Sequence, residues 1–157
     1  MKSRCLISLM VVAAFMLMSQ PALADDLADL KATYMTLWKA ANTGDVETMF
    51  EIMHDGRIFI GTEHGFPLVM TDRARTKQVW AKIYETHRIR IMWYKPDFRV
   101  VGSTGLVWGH TEISVMSKNG PGTRHSLQTS LVFVKSEGKW KLILQQYTPV
   151  PQTVTLY

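Results

Sequence analysis

Cysteine is nearly absent: the 157-residue chain carries one, Cys5, inside an N-terminal segment that the sequence predicts to be removed. A mature chain without cysteine has no disulfide, no thiolate nucleophile and no cysteine metal ligand. Long runs of one charge are missing as well. The basic residues are scattered, with 73–77 and 88–90 as the densest groups, so the electrostatic footprint of a nucleic-acid-binding protein is not found. No nucleic-acid partner is expected.

The one long apolar run extends over the 14 residues from Cys5 to Met18. Lys2 and Arg4 precede it, and Pro21-Ala22-Leu23-Ala24 follows it with a helix-breaking proline and an A-x-A cleavage pattern, as in a secretory signal peptide. As a helix the run would span about 21 Å, short of a hydrocarbon core about 30 Å thick, which disfavours an uncleaved anchor. We therefore expect cleavage after residue 24, a periplasmic or secreted location, and no membrane association after cleavage.

The predicted mature chain, residues 25–157, is nearly neutral. Without Lys2 and Arg4 the formal net charge falls from +5 to +3, with 16 basic against 13 acidic residues. A chain of this length suffices for one domain that buries about two thirds of its unfolded surface. No repeat, linker or low-complexity tract divides it, so a single domain is expected.

Three helices are predicted in the first half of the mature chain. Apolar residues recur at spacings of three and four from Asp25 to Ala41, where Asn42-Thr43-Gly44 ends the first helix. Asp45 is the predicted cap of a second, shorter helix with the apolar stripe Val46, Met49, Phe50 and Met53. A short strand, Arg57–Gly61, precedes a third helix from Thr71-Asp72 to about Thr86, whose predicted buried side is Val79, Trp80, Ile83 and Tyr84.

The second half is strand-like throughout. The predicted strands are Ile89–Val101, Leu106–Met116, His125–Lys135 and Trp140–Tyr147. The first of them should bend near Pro96, because proline cannot donate to a sheet ladder. This order predicts an α+β domain, with three N-terminal helices packed on one face of a curved antiparallel sheet of about four main strands. Long twisted strands would leave a conical cavity beneath the helices.

Two motifs carry a family resemblance. Trp38-Lys39-Ala40-Ala41-Asn42-Thr43-Gly44-Asp45, before a short apolar helix, and Gly138-Lys139-Trp140-Lys141-Leu142-Ile143, at the last strand, resemble the SnoaL-like and DUF4440-type domains of the NTF2-like superfamily. The resemblance spans about Leu27 to Pro151. It implies a cone-shaped pocket and, commonly, a homodimer formed through the outer face of the sheet. Its members include isomerases, cyclases, dehydratases and carbonic-anhydrase-like proteins.

Alternate residues of a strand share a face, and this assigns the pocket lining. The family carries polar pocket groups at positions matching Gln128, Ser130 and Gln146, so one alternating set from each of the last three strands is expected to face the cone. Those sets are Leu106, Trp108, His110, Glu112 and Ser114; Gln128, Ser130 and Val132; and Trp140, Leu142, Leu144 and Gln146. An aromatic wall is expected from Trp38, Phe59, Trp80 and Tyr84.

His110 and Glu112 are the candidate catalytic residues. A histidine with an ordinary pKa of ~6.5 suits proton transfer, and a carboxylate can set its tautomer, although residues two apart in a strand are nearly 7 Å apart at the base. Departures from catalytic relatives weigh against an enzyme. The histidines that end the last strand in many relatives are replaced by Gln145-Gln146-Tyr147-Thr148. The positions of the ketosteroid isomerase base and oxyanion tyrosine hold Gly61 and Leu37, and Tyr34 lies about a turn away.

Cofactor motifs are missing. His54, His64, His87, His110 and His125 show no metal-binding spacing, and no glycine-rich phosphate loop is found, so neither a metal nor another cofactor is expected. The leading interpretation is an exported pocket protein for a small apolar or aromatic molecule. Two alternatives stay open. One is a cofactor-independent lyase, isomerase or hydrolase using His110 and Glu112 as acid–base residues. The other is a homodimeric protein–protein interaction module whose sheet surface includes Trp93, Tyr94 and, if it faces outward, Trp108.

Overall fold

The computed structural model describes residues 20–61, 67–69 and 72–150, with side chains described from residue 25 and not for 67–69. Most of the predicted signal peptide and His64 lie outside the described residues. The elements are α1 (Gln20–Thr43), α2 (Val46–Ile52), β1 (Met53–Ile60), β2 (Pro67–Val69), α3 (Arg73–Thr86), β3 (His87–Val101), β4 (Thr104–Ser117), β5 (Gly122–Ser136) and β6 (Lys139–Pro149). Within these ranges no helix is both long and apolar enough to cross a membrane.

The first helix begins at Gln20, five residues before its predicted start, and the predicted stop signal after it is confirmed. Gly44 ends α1 with φ +75°, a conformation that glycine adopts without steric cost. Asp45 caps α2 as predicted, since its carboxylate accepts a hydrogen bond from the backbone N–H of Thr48 at 3.1 Å.

One sheet of six strands, in the order β2-β1-β6-β5-β4-β3, supports the helices. The predicted meander is confirmed, because β3 to β6 pair antiparallel in sequence order. β1 pairs parallel with β6, and β2 pairs antiparallel with β1, which adds two short strands to the four main ones. The bend expected near Pro96 is a register shift between Tyr94 and Asp97.

The core lies between α1, α2 and the concave face of the sheet. Its least accessible large side chains are Leu30, Phe50, Val107, Phe133 and Leu142. By contrast, α3 buries no residue fully. Trp80 and Tyr84 pack partly against the core, as predicted, but Val79 is 52% exposed, so its predicted burial is wrong. Adjacent helix positions are turned about 100° apart, and contact through Trp80 leaves Val79 facing outward.

The Trp38–Asp45 motif attaches α1 to the edge strand β3. The Trp38 indole N–H donates to the backbone carbonyl of Ile91 at 2.9 Å. The Asn42 side chain donates to the same carbonyl at 3.2 Å and accepts from the Ile91 N–H at 2.8 Å. These bonds satisfy backbone groups that an edge strand leaves without a ladder partner. The motif therefore sets the position of α1 over the sheet.

Candidate functional site

The concave face of β4 and β5 is identified by burial. Val107 and Thr111 in β4, and Leu131 and Phe133 in β5, are each at most 5% exposed. Leu131 and Thr111 line a cavity together with residues of α1. Because side chains alternate along a strand, the odd-numbered residues of these two strands face the helices.

The predicted pocket lining of β4 and β5 is therefore on the other face of the sheet, and that expectation is corrected. Even-numbered residues point away from the helices: Trp108 is 40% exposed, and Gln128 and Ser130 are exposed as well. The structure does bring them together, since Trp108 pairs with Ser130 and His110 with Gln128 across the two strands. The error arises because β4 carries apolar residues on both faces, so alternation alone does not distinguish the core side. Leu106, Glu112, Ser114 and Val132 belong to the same outer set.

The predicted inward-facing residues of β6 are right for only the first half of the strand, because a β-bulge interrupts it. Trp140 and Leu142 are buried in the core as predicted. The pairing with β5 then shifts between Val132 and Phe133, and one extra residue of β6 reverses the alternation. Beyond the shift Tyr147 lines the cavity, so Leu144 and Gln146, predicted to face inward, lie on the outer face.

His110 and Glu112 do not meet in the cavity. His110 lies on the outer face, with its ring 5.4 Å from that of Tyr94 and its Nε2 3.2 Å from the Ser126 hydroxyl. The closest charged partner of Glu112 is Arg124, at 3.8 Å. The expectation that this pair performs acid–base chemistry inside the cone is corrected, because the sheet separates both side chains from the interior.

A small cavity of about 40 Å³ lies between α1 and the concave face. Its lining is aromatic and aliphatic apart from one hydroxyl and two phenols: Tyr34, Leu37, Trp38, Ala41, Ile91, Trp93, Thr111, Leu131 and Tyr147. Tyr34 meets Trp93 edge to face, with ring centroids 5.3 Å apart. This volume accommodates about one water molecule.

The predicted aromatic wall is only partly assembled around that cavity. Trp38 lines the cavity. Phe59 does not, but its ring packs edge to face on that of Tyr147, which does, with ring centroids 5.6 Å apart. Trp80 and Tyr84 are not among the lining residues and pack behind it, where the Tyr84 hydroxyl donates to the Ala41 carbonyl at 2.7 Å. They connect α3 to α1 at the back of the cavity wall.

A buried arginine that sequence reasoning missed stands next to the cavity. Arg57 in β1 is 5% exposed, and its Nη1 donates to the Gln145 side-chain oxygen at 2.8 Å. Gln145 in turn donates to the hydroxyl of Tyr147. A signal was available in the sequence, because Arg57 and Phe59 share a strand face and Phe59 was expected to point inward.

Burial sets the charge states of these interior groups. It raises the pKa of Tyr147, against the opposing effects of the Gln145 hydrogen bond and the Arg57 charge. Burial, and then the proximity of Tyr147, raise the pKa of Tyr34. Burial also lowers the pKa of Arg57, which nevertheless remains a cation because free guanidinium titrates above about pH 12. The interior therefore presents neutral phenols and one cation, all of them hydrogen-bond donors.

General bases and metal ligands are not found at this cavity. No Asp, Glu or His is among its described lining residues. Across the described part of the chain, no group of three or more His, Cys, Asp or Glu side chains is arranged to hold a metal ion. The arrangement can orient an electron-rich ligand, but it offers no described side chain that would accept a proton near neutral pH.

Comparisons with known proteins agree with this fold. The family model of the SnoaL-like domain matches residues 30–151. A proposed dehydratase of the NTF2-like family from Streptomyces avermitilis superposes with a TM-score of 0.68 at 18% identity, over 82% of this chain and 99% of its own. An NTF2-like protein from Cytophaga hutchinsonii gives 0.64 at 18%, over 77% and 95%. A ketosteroid isomerase-like protein from Erwinia carotovora atroseptica gives 0.62 at 18%, over 80% and 97%. A comparison with curated protein sequences finds no match.

Proposed function

Because the chain belongs to the SnoaL-like domain family of the NTF2-like superfamily, we propose that it is an exported protein that binds a small, largely apolar or aromatic molecule inside its cone. The ligand would lie between α1 and the concave face of the sheet, among Tyr34, Trp38 and Trp93. Sites for small molecules combine apolar walls with a few convergent polar groups, and this interior has that composition.

The observation that carries the proposal is that the described interior contains hydrogen-bond donors but no general base. Phenols, threonine hydroxyls and the Arg57 guanidinium can all donate hydrogen bonds, and no carboxylate or imidazole accompanies them. Acid–base catalysis needs a group that accepts a proton at the working pH. Donors without a base favour binding over proton transfer.

Ligand entry requires the cone to widen. The described cavity of about 40 Å³ is well below the ~300–1,000 Å³ of typical small-molecule sites. The element suited to move is α3, which lies behind the cavity wall and buries no residue fully. It is held by the partial packing of Trp80 and Tyr84 on the core, and by polar contacts such as the Tyr84–Ala41 hydrogen bond and the Lys77–Glu47 ion pair. Moving α3 would give up these contacts but would displace none of the fully buried side chains between α1 and the sheet.

Ligand-induced thermal stabilisation tests the proposal. A panel of aromatic and lipid-like compounds is screened against the wild type, Ala41→Leu and Ala28→Leu. Both alanines lie on α1, but Ala41 lines the cavity and Ala28 is exposed. We expect at least one compound to raise the Tm of wild type and Ala28→Leu and to lose its effect on Ala41→Leu. Equal stabilisation of the two variants, or no effect from a broad screen, contradicts binding in the cone.

Export is tested separately from binding. The full chain is expressed in a Gram-negative host and recovered by osmotic shock. We expect a periplasmic species whose N-terminus, by mass spectrometry, is Asp25. An intact N-terminus retained in the cytoplasmic fraction would overturn the export proposal without bearing on the pocket.

A second copy of the chain is the proposed partner of the outer face. Six large apolar side chains of the described residues are exposed, and four of them lie on this face of β3 and β4: Tyr94, Val101, Trp108 and Met116. The Glu112–Arg124 pair stands on the same face, so both charges needed for a self-complementary two-fold contact are present. This chemistry suits the homodimer that the family resemblance implies.

The proposed dimer contact through the outer face is tested by measuring the oligomeric state. Sedimentation equilibrium should give a dimer for the wild type and a monomer for Trp108→Lys, since a charge would be buried in the centre of the interface. Met35→Lys is the matched control, because Met35 is 50% exposed on α1, away from the sheet. A monomeric wild type, or dissociation by the control as well, overturns the dimer.

A further inference from the structure

Arg57 is an ion with an incomplete set of partners. Of its five donors, one hydrogen on Nη1 bonds to Gln145, while Nε is inaccessible and makes no hydrogen bond to a described residue. The guanidinium carbon lies 5.6 Å from the centre of the Phe59 ring, within the range of a cation–π contact, which uses none of the N–H donors in a hydrogen bond.

No described carboxylate forms an ion pair with the Arg57 guanidinium. The five ion pairs of the described residues involve Arg73, Lys77, Lys82, Arg124 and Lys135, and all of them are more exposed than Arg57. A buried charge is costly unless it is paired and hydrogen-bonded. Retaining an arginine on this interior face therefore requires a compensating anion.

The position of Arg57 relates it to the cavity. Arg57, Gln145 and Tyr147 form one hydrogen-bonded chain, and Tyr147 lines the cavity. Phe59, next to Arg57 on the same strand face, packs edge to face on Tyr147. A molecule with its apolar body among Tyr34, Trp38 and Trp93 would thus have a cation near one end.

We propose that Arg57 is the anion-binding residue of the cone, and that the ligand is a monocarboxylate attached to an apolar or aromatic body. The inference rests on the proposed binding function. A carboxylate matches the arginine fork, because its two oxygens accept two parallel N–H bonds, and it supplies the missing charge. The neutral phenols of Tyr34 and Tyr147 add donors and no competing negative charge.

The alternative partner is an acid of the chain itself. Among the residues of the sequence that lie outside the described ranges, Glu63 has the only acidic side chain. If Glu63 were the counter-ion, Glu63→Gln and Arg57→Met would both lower the Tm of the free protein. If the counter-ion is a ligand, Glu63→Gln should leave the Tm unchanged. Arg57→Met should then raise it, because an unpaired buried ion is replaced by an apolar side chain.

Matched acids and amides test the ligand class directly. Phenylacetate is compared with phenylacetamide, and hexanoate with hexanamide, by calorimetry on wild type, Arg57→Met, Arg57→Lys and Glu63→Gln. We expect each acid to bind the wild type and Glu63→Gln about ten-fold or more tightly than its amide. That ratio should fall to about one in Arg57→Met, with amide affinity unchanged, and be intermediate in Arg57→Lys, which keeps the charge without the fork.

The outcomes separate this inference from the proposed function. Equal binding of acid and amide by the wild type overturns the role of Arg57 and leaves the pocket standing. This comparison needs no variant, so it holds even if Arg57→Met fails to fold. A loss of Tm in both Arg57→Met and Glu63→Gln identifies an internal ion pair and also overturns the inference. If neither acids nor amides bind, the proposed function and the inference fall together.

Discussion

Thr111 of β4 and Thr129 of β5 are diagonal neighbours across the two strands beneath the helices, with their hydroxyl oxygens 2.6 Å apart and both residues at most 1% exposed. Each hydroxyl is the other's side-chain partner. The pair shows how a polar residue can occupy the core face of a strand, since mutual hydrogen bonding offsets the cost of burial. It also identifies which face of the sheet is the interior.

Breaking that pair should be costly, and replacing both members should not be. Thr111→Val leaves the Thr129 hydroxyl buried without its partner, so we expect a loss of about 1–3 kcal/mol in unfolding free energy. The double variant with Thr129→Val should regain most of that loss, because no unpaired hydroxyl remains. Urea denaturation of the two single variants and the double variant measures the coupling. Additive losses would show that the hydroxyls do not interact.

Gly105 is where β4 passes close to α1. An ideal Cβ at this position would lie 2.7 Å from Leu30 Cδ1 and 2.8 Å from Leu30 Cδ2, and Leu30 is fully buried. Gly105→Ala should therefore destabilise the protein by about 1–3 kcal/mol through overpacking. Gly56→Ala is the control, because the nearest atom to its Cβ is the His54 ring at 3.6 Å in an exposed region. Similar thermal unfolding of both variants would contradict the close approach.

Tyr84 makes stability sensitive to alkaline pH. Burial, and then Tyr147, raise its pKa from 10.0 to about 12. The folded state keeps the phenol proton where the unfolded state loses it. The stabilisation that the neutral Tyr84 phenol contributes to the unfolding free energy is thus fully present below pH 10 and is lost as the pH rises towards 12. Removing the phenol should make this alkaline loss smaller.

The Tyr84→Phe variant tests the predicted direction of this pH dependence. At pH 8 it should cost about 1 kcal/mol, because the hydrogen bond to the Ala41 carbonyl is lost. Between pH 8 and 11 its unfolding free energy should fall less than that of the wild type. A Tyr84→Phe variant whose alkaline loss equals the wild-type loss would refute the assignment.

His110 and Glu112 should be dispensable for binding in the cone. Both lie on the outer face, so His110→Gln and Glu112→Gln should leave ligand affinity within about two-fold of wild type, since distant sites act independently. Ala41→Leu should abolish binding of the same ligand. Calorimetry with the ligand from the thermal screen measures all three. A ten-fold loss of ligand affinity in either outer-face variant would show that the substituted residue contributes to the binding site.

Sequence reasoning predicted the secondary structure well because its signals are local. The stop at Gly44, the cap at Asp45 and the start of α3 after Asp72 each depend on a few neighbouring residues. The order of three helices and a meander followed from hydrophobic periodicity, and the family resemblance agreed with it. The strands near each turn were likewise placed within a few residues.

The candidate site was predicted less well, because it depends on relations between strands. Which face of β4 is interior is decided by packing against α1, and apolar residues on both faces of the strand hide that choice. The bulge in β6 reverses the alternation between Leu142 and Tyr147, and no residue type announces it. A one-residue change in register moved Gln146 outward and placed Gln145 beside Arg57.

The sequence alone predicted the α+β order of helices and strands, since local periodicity carries that property. The proposals of an export segment and of a single, cysteine-free mature domain also rest on the sequence alone. Only the tertiary structure decided what the cone contains. Burial of Arg57, pairing of Thr111 with Thr129 and exposure of His110 all depend on strand register and on the docking of α1. Register transmits one local shift to every later side chain of a strand, so the chemistry of the interior depends on the assembled sheet.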